Sequence, residues 1–253
     1  MPNAEIKSIP FKEYLAVDAL SSHLAKELLK SGAHYAYSKT VEWSESESKQ
    51  LGRAVHSLVL EPSTAKTSYA VLPPLNLTKT ADKAKKKEFE ELNQGKEIIR
   101  DYLWEQALEV SKAVLESPLV HSKEWMTEQS IFWTEGDIKC KARLDITAIE
   151  HNYMADLKTT RWLALDFYKD LRDYKYDMQM AWYARAYEVA YGRRPKVFFI
   201  VVESEAPHGV VVYQVSEETL NRGNELCKRA IQSYRLSLKA GKWLSYPEEI
   251  QTI

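Results

Sequence analysis

Among its 253 residues the chain has only two cysteines, Cys140 and Cys227. They form no CxxC pair and are too few to build a zinc or iron–sulfur site, and their scarcity suits a reducing cytoplasm. Long hydrophobic runs are missing as well. The longest, residues 197–202, spans six residues, whereas a helix that crosses a bilayer needs about 20, so no membrane span is expected. The start, Met1-Pro-Asn-Ala-Glu5, lacks a basic stretch ahead of an apolar one, so no secretory leader is expected. Excess charge of either sign is also absent: 35 Lys and Arg stand against 36 Asp and Glu, for a formal net charge of −1. A protein that only coats nucleic acid is usually basic. A nucleic-acid enzyme need not be, because carboxylates gathered to hold a metal offset its phosphate-binding lysines. No internal repeat or low-complexity tract is visible.

With 45% hydrophobic and 28% charged residues, the chain has the composition of a folded protein. At about 100–200 residues per domain, its length allows one large domain or two small ones sharing a core. The first stretch, to about Tyr14, reads as a loosely structured lead-in. Ser21 and Ser22 can cap a helix over 23–30 that stops at Ser31-Gly32. A Ser/Glu run at 43–49 reads as a loop entering a helix over 49–60. There Leu51, Val55, Leu58 and Val59 form an i, i+4, i+7, i+8 stripe, and Pro62 ends it. Residues 79–94 are heavily charged and fit a solvated helix face. A further helix is expected over 96–116.

The period then changes. Residues 128–134, 138–149 and 153–158 are predicted as three strands, joined by turns at Glu135-Gly136-Asp137 and His151-Asn152. In the second strand every even position from Ile138 to Ala148 is apolar, while Lys139, Lys141, Arg143 and Asp145 fall on odd positions. Helices over 164–173 and 177–191, a hairpin over 196–203 and 209–215, and a long helix over 217–240 follow. The order predicts a mixed α/β fold (α+β mixed sheet) with a helix-rich N-terminal part.

Asp145 and the run Asp156-Leu157-Lys158 are the residues that point to chemistry. The turn at 151–152 sets positions 145 and 156 roughly opposite each other on neighbouring antiparallel strands, with both acids and Lys158 on the polar faces. Two carboxylates that converge in this way repel unless a cation sits between them, and oxygen ligands suit Mg²⁺ or Mn²⁺. Beside such a cation the pKa of Lys158 should fall, and the lysine could then orient or deprotonate an attacking water. Asp-x-Lys occurs three times in the chain, at Asp137, Asp156 and Asp173, but only the second lies in a strand beside a partner acid. A surface ion-pair ladder explains that pair equally well. Gly52 and His56 lie one helical turn apart, and Gly52 would let a strand approach closely. Gln179 and Tyr183 are spaced in the same way. Taken singly, His56, Gln179 and Tyr183 are more ordinarily packing residues.

In order, however, these pieces resemble a known family. Leu51-Gly-Arg-Ala-Val-His-Ser-Leu-Val-Leu-Glu-Pro62, Ala142-Arg-Leu-Asp145, Asp156-Leu-Lys-Thr-Thr160 and Gln179-Met-Ala-Trp-Tyr183 together are similar to the PD-(D/E)xK nucleases of the RecB type, and most of all to their RecE-like (exonuclease VIII) branch. Leu20-Ser-Ser-His-Leu24 and Leu28-Leu-Lys-Ser-Gly32 resemble that branch's opening helix. The likeness covers about residues 18–245. It implies a restriction-endonuclease-like core in a single nuclease domain over 1–253, with a lead-in over about 1–17.

The resemblance implies roles residue by residue. His56, Asp145, Asp156 and the Leu157 carbonyl would hold the metal, Mg²⁺ with Mn²⁺ able to substitute, and Lys158 would handle the water. Gln179 and Tyr183 would contact DNA near the scissile phosphate. Ser22 and Arg161 are candidates for gripping the 5′-phosphate, as is Lys26. Lys139, Lys141, Arg143, Arg161, Arg172 and Lys175 could meet backbone phosphates, although singly each is more ordinarily plain surface charge. The implied activity is a 5′→3′ exonuclease on linear double-stranded DNA ends, in the cytoplasm of a bacterial or phage-infected cell. The resemblance further implies a homo-oligomeric ring and a single-strand annealing protein as partner. The four-cysteine cluster of some relatives cannot form here. An endonuclease of the same fold and a non-catalytic DNA-binding module on a decayed nuclease fold remain as alternatives.

Overall fold

The alternating run after Asp137 becomes an inner strand of a six-stranded sheet. A computed structural model of the chain describes residues 4–41, 46–76, 78–118, 120, 125–247, 249–250 and 252. Residues 1–3 of the lead-in and 42–45 of the Ser/Glu run therefore lie outside the described residues.

The chain opens with β1 (Ala4–Lys7) and the helices α1 (Phe11–Ala16), α2 (Ser22–Leu28), α3 (Gly32–Ser38), α4 (Glu47–Leu60) and α5 (Pro62–Ser68). Next come β2 (Tyr69–Leu72), α6 (Thr80–Leu92), β3 (Glu97–Arg100) and α7 (Asp101–Glu116). The three meandering strands are β4 (Met126–Glu135), β5 (Ile138–Ala148) and β6 (Tyr153–Thr160). α8 (Tyr168–Asp173), α9 (Tyr176–Tyr191), β7 (Lys196–Glu203), β8 (Val210–Gln214) and α10 (Glu217–Ala240) complete the chain. The fold is mixed α/β. The main sheet has the order β1-β4-β5-β6-β7-β8, antiparallel except for the parallel pair β6–β7. A parallel pair needs a crossover, and α8 and α9 supply it.

Each side of the sheet carries its own core. Met154 of β6 and Val197, Phe199 and Val201 of β7 pack with α2, α9 and α10. Ala155 and Leu157, with Ile200 and Val202, pack with α4 and α7. This is the period-2 alternation of strands buried on both faces. β5 departs from it. Ile138, Cys140, Ala142 and Leu144 join the first cluster, whereas Ile146 joins the second. The unbroken alternation in the sequence therefore conceals a change of face at Asp145. By register, the residue opposite Asp145 is Glu128 of β4, whose φ of 54° is left-handed, a conformation that costs a non-glycine residue about 1–2 kcal/mol.

Three expectations need correction. Residues 97–100 do not begin a helix: Ile98 and Ile99, both β-branched, belong to β3, which pairs in parallel with β2 as a small second sheet. From Ala4 onward the lead-in is structured rather than loose, since β1 pairs antiparallel with β4 and extends the sheet. Lys141 and Arg143 are buried and do not face solvent phosphates. Lys141 Nζ donates to the carbonyls of Tyr14, Leu15 and Val17 at 2.9, 3.1 and 2.7 Å, and Arg143 Nη1 donates to the Ile9 carbonyl at 2.6 Å. Among the described residues no helix is long and apolar enough to cross a membrane.

Candidate active site

α4 carries the first site residue. Ser46 caps it by accepting from the Lys49 amide at 3.3 Å, and Leu51, Val55, Leu58 and Val59 bury its apolar stripe. That packing brings Gly52 against β6, where a Cβ at position 52 would lie 3.3 Å from Thr159 Oγ1. One turn further on, His56 Nε2 lies 2.7 Å from the Leu157 carbonyl oxygen. A carbonyl can only accept, so Nε2 carries the proton and Nδ1 is left with a lone pair. Nδ1 faces Asp145 Oδ2 at 3.6 Å. Burial, followed by the Lys158 ammonium, lowers the His56 pKa, which keeps the ring neutral near pH 7.

Paired residues in β5–β6 stop at Ile146 and Ala155. One step beyond, the Asp145 carboxylate replaces a strand carbonyl and accepts from the Leu157 amide at 2.9 Å. Burial and the nearby Asp156 carboxylate push the Asp145 pKa well above the usual carboxylate range. Glu128 is raised to about 7 by burial and by Asp145, against the pull of Arg143, whose Nε is its direct partner. His56, Glu128 and Asp145 can each bring one ligand atom within 4.8 Å of the others.

The Asp156 side chain is 1% exposed and lies outside that trio. It pairs with the Lys158 ammonium, and its Oδ1 accepts from Gln179 Nε2 at 3.2 Å. Burial disfavours the charge on Lys158, but Asp156 and Asp145 outweigh it and the net pKa is raised. Without a cation the two carboxylates hold the proton on, opposite to the fall expected beside one.

Gln179 Nε2 also donates to Tyr183 Oη at 3.2 Å, and Gln179 Oε1 accepts from Lys26 Nζ at 3.3 Å. Burial and then Lys158 lower Lys26 to about 8. The two lysines share Tyr176, with their amines 5.3 and 4.8 Å from its ring centroid. Tyr176, Tyr183 and Lys158 line a cleft of about 2030 Å³ whose walls also include His56, Asp145, Ser22 and Arg161.

His56, Asp145, Asp156, Leu157, Lys158, Gln179 and Tyr183 thus meet at one end of the β5–β6 pair. Ser22 and Arg161 line the same cleft away from that network. Glu128 is an addition to the centre, and Lys26, a 5′-phosphate candidate in the sequence, lies within the network rather than along the cleft. Glu128 had a signal in the sequence: counting back through the Gly136-Asp137 turn sets 128 opposite 145. The contact of Lys26 with Gln179 had no such signal, because it depends on how α2 packs against α9.

The donor set fits a hard divalent cation. His56 Nδ1 and Asp145 Oδ2 lie 3.6 Å apart, beside a third acid, Glu128. One imidazole nitrogen with two carboxylates could hold a divalent cation.

The chain belongs to the family described as a PDDEXK-like domain of unknown function (DUF3799), whose model matches residues 21–253. By family and by fold it is therefore a PDDEXK-like domain. The crystal structure of a suggested exonuclease from Eubacterium rectale superposes with a TM-score of 0.65 at 14% identity, over 93% of this chain and 88% of that one. A phage-related exonuclease from Haemophilus somnus 129PT aligns over 87% of this chain and 83% of its own, with 10% identity and a TM-score of 0.39. No curated protein sequence matches this chain at a significant level.

Proposed function

We propose that the protein is a divalent-metal-dependent DNA exonuclease. The observation that carries this reading is the convergence of His56 Nδ1, Asp145 and Glu128 beside the Asp156–Lys158 pair on the wall of a wide cleft. His56, Asp145 and Glu128, with Asp156 and the Leu157 carbonyl adjoining, would hold Mg²⁺ or Mn²⁺. When bound, the cation supplies charge stabilisation to the phosphodiester and acidifies a water. Lys158 orients the attacking water, which adds to phosphorus in line with the departing 3′-oxygen. The P–O3′ bond breaks, the 3′-oxygen takes up a proton, and the product carries a 5′-phosphate. Gln179 and Tyr183 hold Asp156 in place and face the phosphate, while Ser22 and Arg161 contact the strand along the cleft.

The motif series supports the RecE-like reading: 5′→3′ digestion of linear duplex that leaves 3′ single strands for an annealing protein, carried out by a homo-oligomeric ring. The test is end-labelled linear duplex beside covalently closed plasmid, each with and without Mg²⁺. Shortening of the linear substrate from its 5′ ends, with the closed plasmid intact, is the expected result. Cutting of the closed plasmid would make the protein an endonuclease of the same fold, and no cleavage of either with any divalent metal would make it a binding module.

A further inference from the structure

The segment between β6 and α9, residues 161–175, follows directly on Lys158-Thr159-Thr160. It is fastened from below. The Ala164 amide donates to Glu203 Oε1 at 2.8 Å, and the Ala164 carbonyl accepts from Tyr213 Oη at 2.8 Å. Phe167 is buried, stacked on Tyr176 and Tyr213 with its ring edge-on to Phe199. Thr160 Oγ1 donates to Asp170 Oδ2 and accepts from the Trp162 amide, both at 3.1 Å.

Yet the same segment displays Trp162 at 67% and Tyr174 at 60% exposure, with Leu163, Leu165 and Tyr168 also exposed. A chain held this firmly gains nothing in stability from aromatic rings left in water. Trp162 and Tyr174 line the cleft that holds Lys158, and so does Arg161. Arg161, Arg172 and Lys175 are exposed and form no ion pair among the described residues. Of the segment's acids, Asp166 is paired with Lys169 and Asp170 is taken by Thr160, while Asp173 stays exposed.

We propose that Trp162 and Tyr174 form a stacking platform for unpaired bases at the mouth of the cleft, with Arg161, Arg172 and Lys175 neutralising the phosphates of the same strand. Exposed rings interleaved with unpaired cations are what a single-stranded nucleic acid needs: a π-face for each base and positive charge for the backbone. A surface for a second copy of the chain would not need unpaired cations, and it would not need to run into the cleft. The enzyme therefore grips a frayed end rather than an intact terminal pair. The inference rests on the nucleic-acid reading of the cleft.

The test is equilibrium binding in Mg²⁺, in a Lys158→Ala background so that ends stay intact, of a fluorescent blunt duplex and of one with mismatched pairs at its end. Tighter binding of the mismatched end is expected. Trp162→Ala with Tyr174→Ala should weaken it about a hundredfold, about tenfold for each lost base–aromatic stack, with far less effect on the blunt duplex. Trp162→Phe with Tyr174→Phe should keep the preference. Both rings are solvent-exposed, so these variants leave the core intact. Equal loss on both duplexes, or no loss, would overturn the platform while leaving the nuclease reading standing. So would a change in sedimentation without a change in binding of the mismatched end, which would make the patch a self-association surface. Failure of the unaltered chain to bind either duplex would overturn the nucleic-acid reading itself, and the platform with it.

Discussion

Glu128→Gln is the perturbation that isolates the electrostatic logic of the site. Burial and Asp145 lift the Glu128 pKa from 4.5 to about 7. At about 1.4 kcal/mol for each tenfold in proton affinity, ionising that carboxyl in the folded protein costs about 3 kcal/mol. The sign follows from linkage. Folded Glu128 holds its proton more tightly than the unfolded chain does. Its cost is therefore absent below pH 4.5, grows between pH 4.5 and about 7, and is fully present above. In metal-free buffer the Gln variant should match the wild type at pH 4.5 and exceed it at pH 8 by up to that amount, less whatever the Arg143 partnership returns. For a chain of this length the gain is several degrees in Tm. Mg²⁺ should stabilise the wild type at pH 8, because a cation relieves the same repulsion, and should stabilise the variant far less. The assay is thermal unfolding followed by circular dichroism at the two pH values, with EDTA or with Mg²⁺. A variant no more stable than the wild type at pH 8 and equally responsive to Mg²⁺ would refute the assignment of Glu128 to a cation site.

The other predictions are more direct. Lys158→Ala should lower cleavage of linear duplex by about 10²–10⁴-fold, the usual worth of a positioned acid–base group, with DNA binding retained; an unchanged rate would remove Lys158 from the mechanism. His56→Ala should abolish the Mn²⁺-dependent rise in Tm at pH 8, read by calorimetry. Gly223→Ala should destabilise the fold by about 1–3 kcal/mol or more, because its Cβ would lie 2.1 Å from the Asp177 carbonyl oxygen where α10 crosses α9; chemical denaturation checks it. Gly52→Ala, facing a hydroxyl at 3.3 Å, should cost less than Gly223→Ala in the same assay. Lys141→Met should leave the carbonyls of Tyr14, Leu15 and Val17 without their shared donor, and limited proteolysis should then cut the first 17 residues faster.

Local patterns made much of this molecule legible before folding. Alternation over residues 138–148, the stripe Leu51-Val55-Leu58-Val59 and the Ser21 cap each act within a few residues, so they identify strands, a helix face and a helix start without knowledge of the partner surface. The hairpin turn alone sets Asp145 near Asp156, and motif order alone links them to His56. Contacts between distant segments could not be read in this way. The face change at Asp145 is hidden because its flanking residues are apolar on either side. Lys141 and Arg143 look like phosphate ligands until residues 9–17 come to them and claim their hydrogen bonds. Ile98-Ile99 becomes a strand only because Ala70 and Val71 lie alongside, and Lys26 enters the centre only when α2 docks on α9. Periodicity and turn chemistry are short-range and are written in the chain, whereas the neighbour each charge finally meets depends on loop closures and packing across the whole domain.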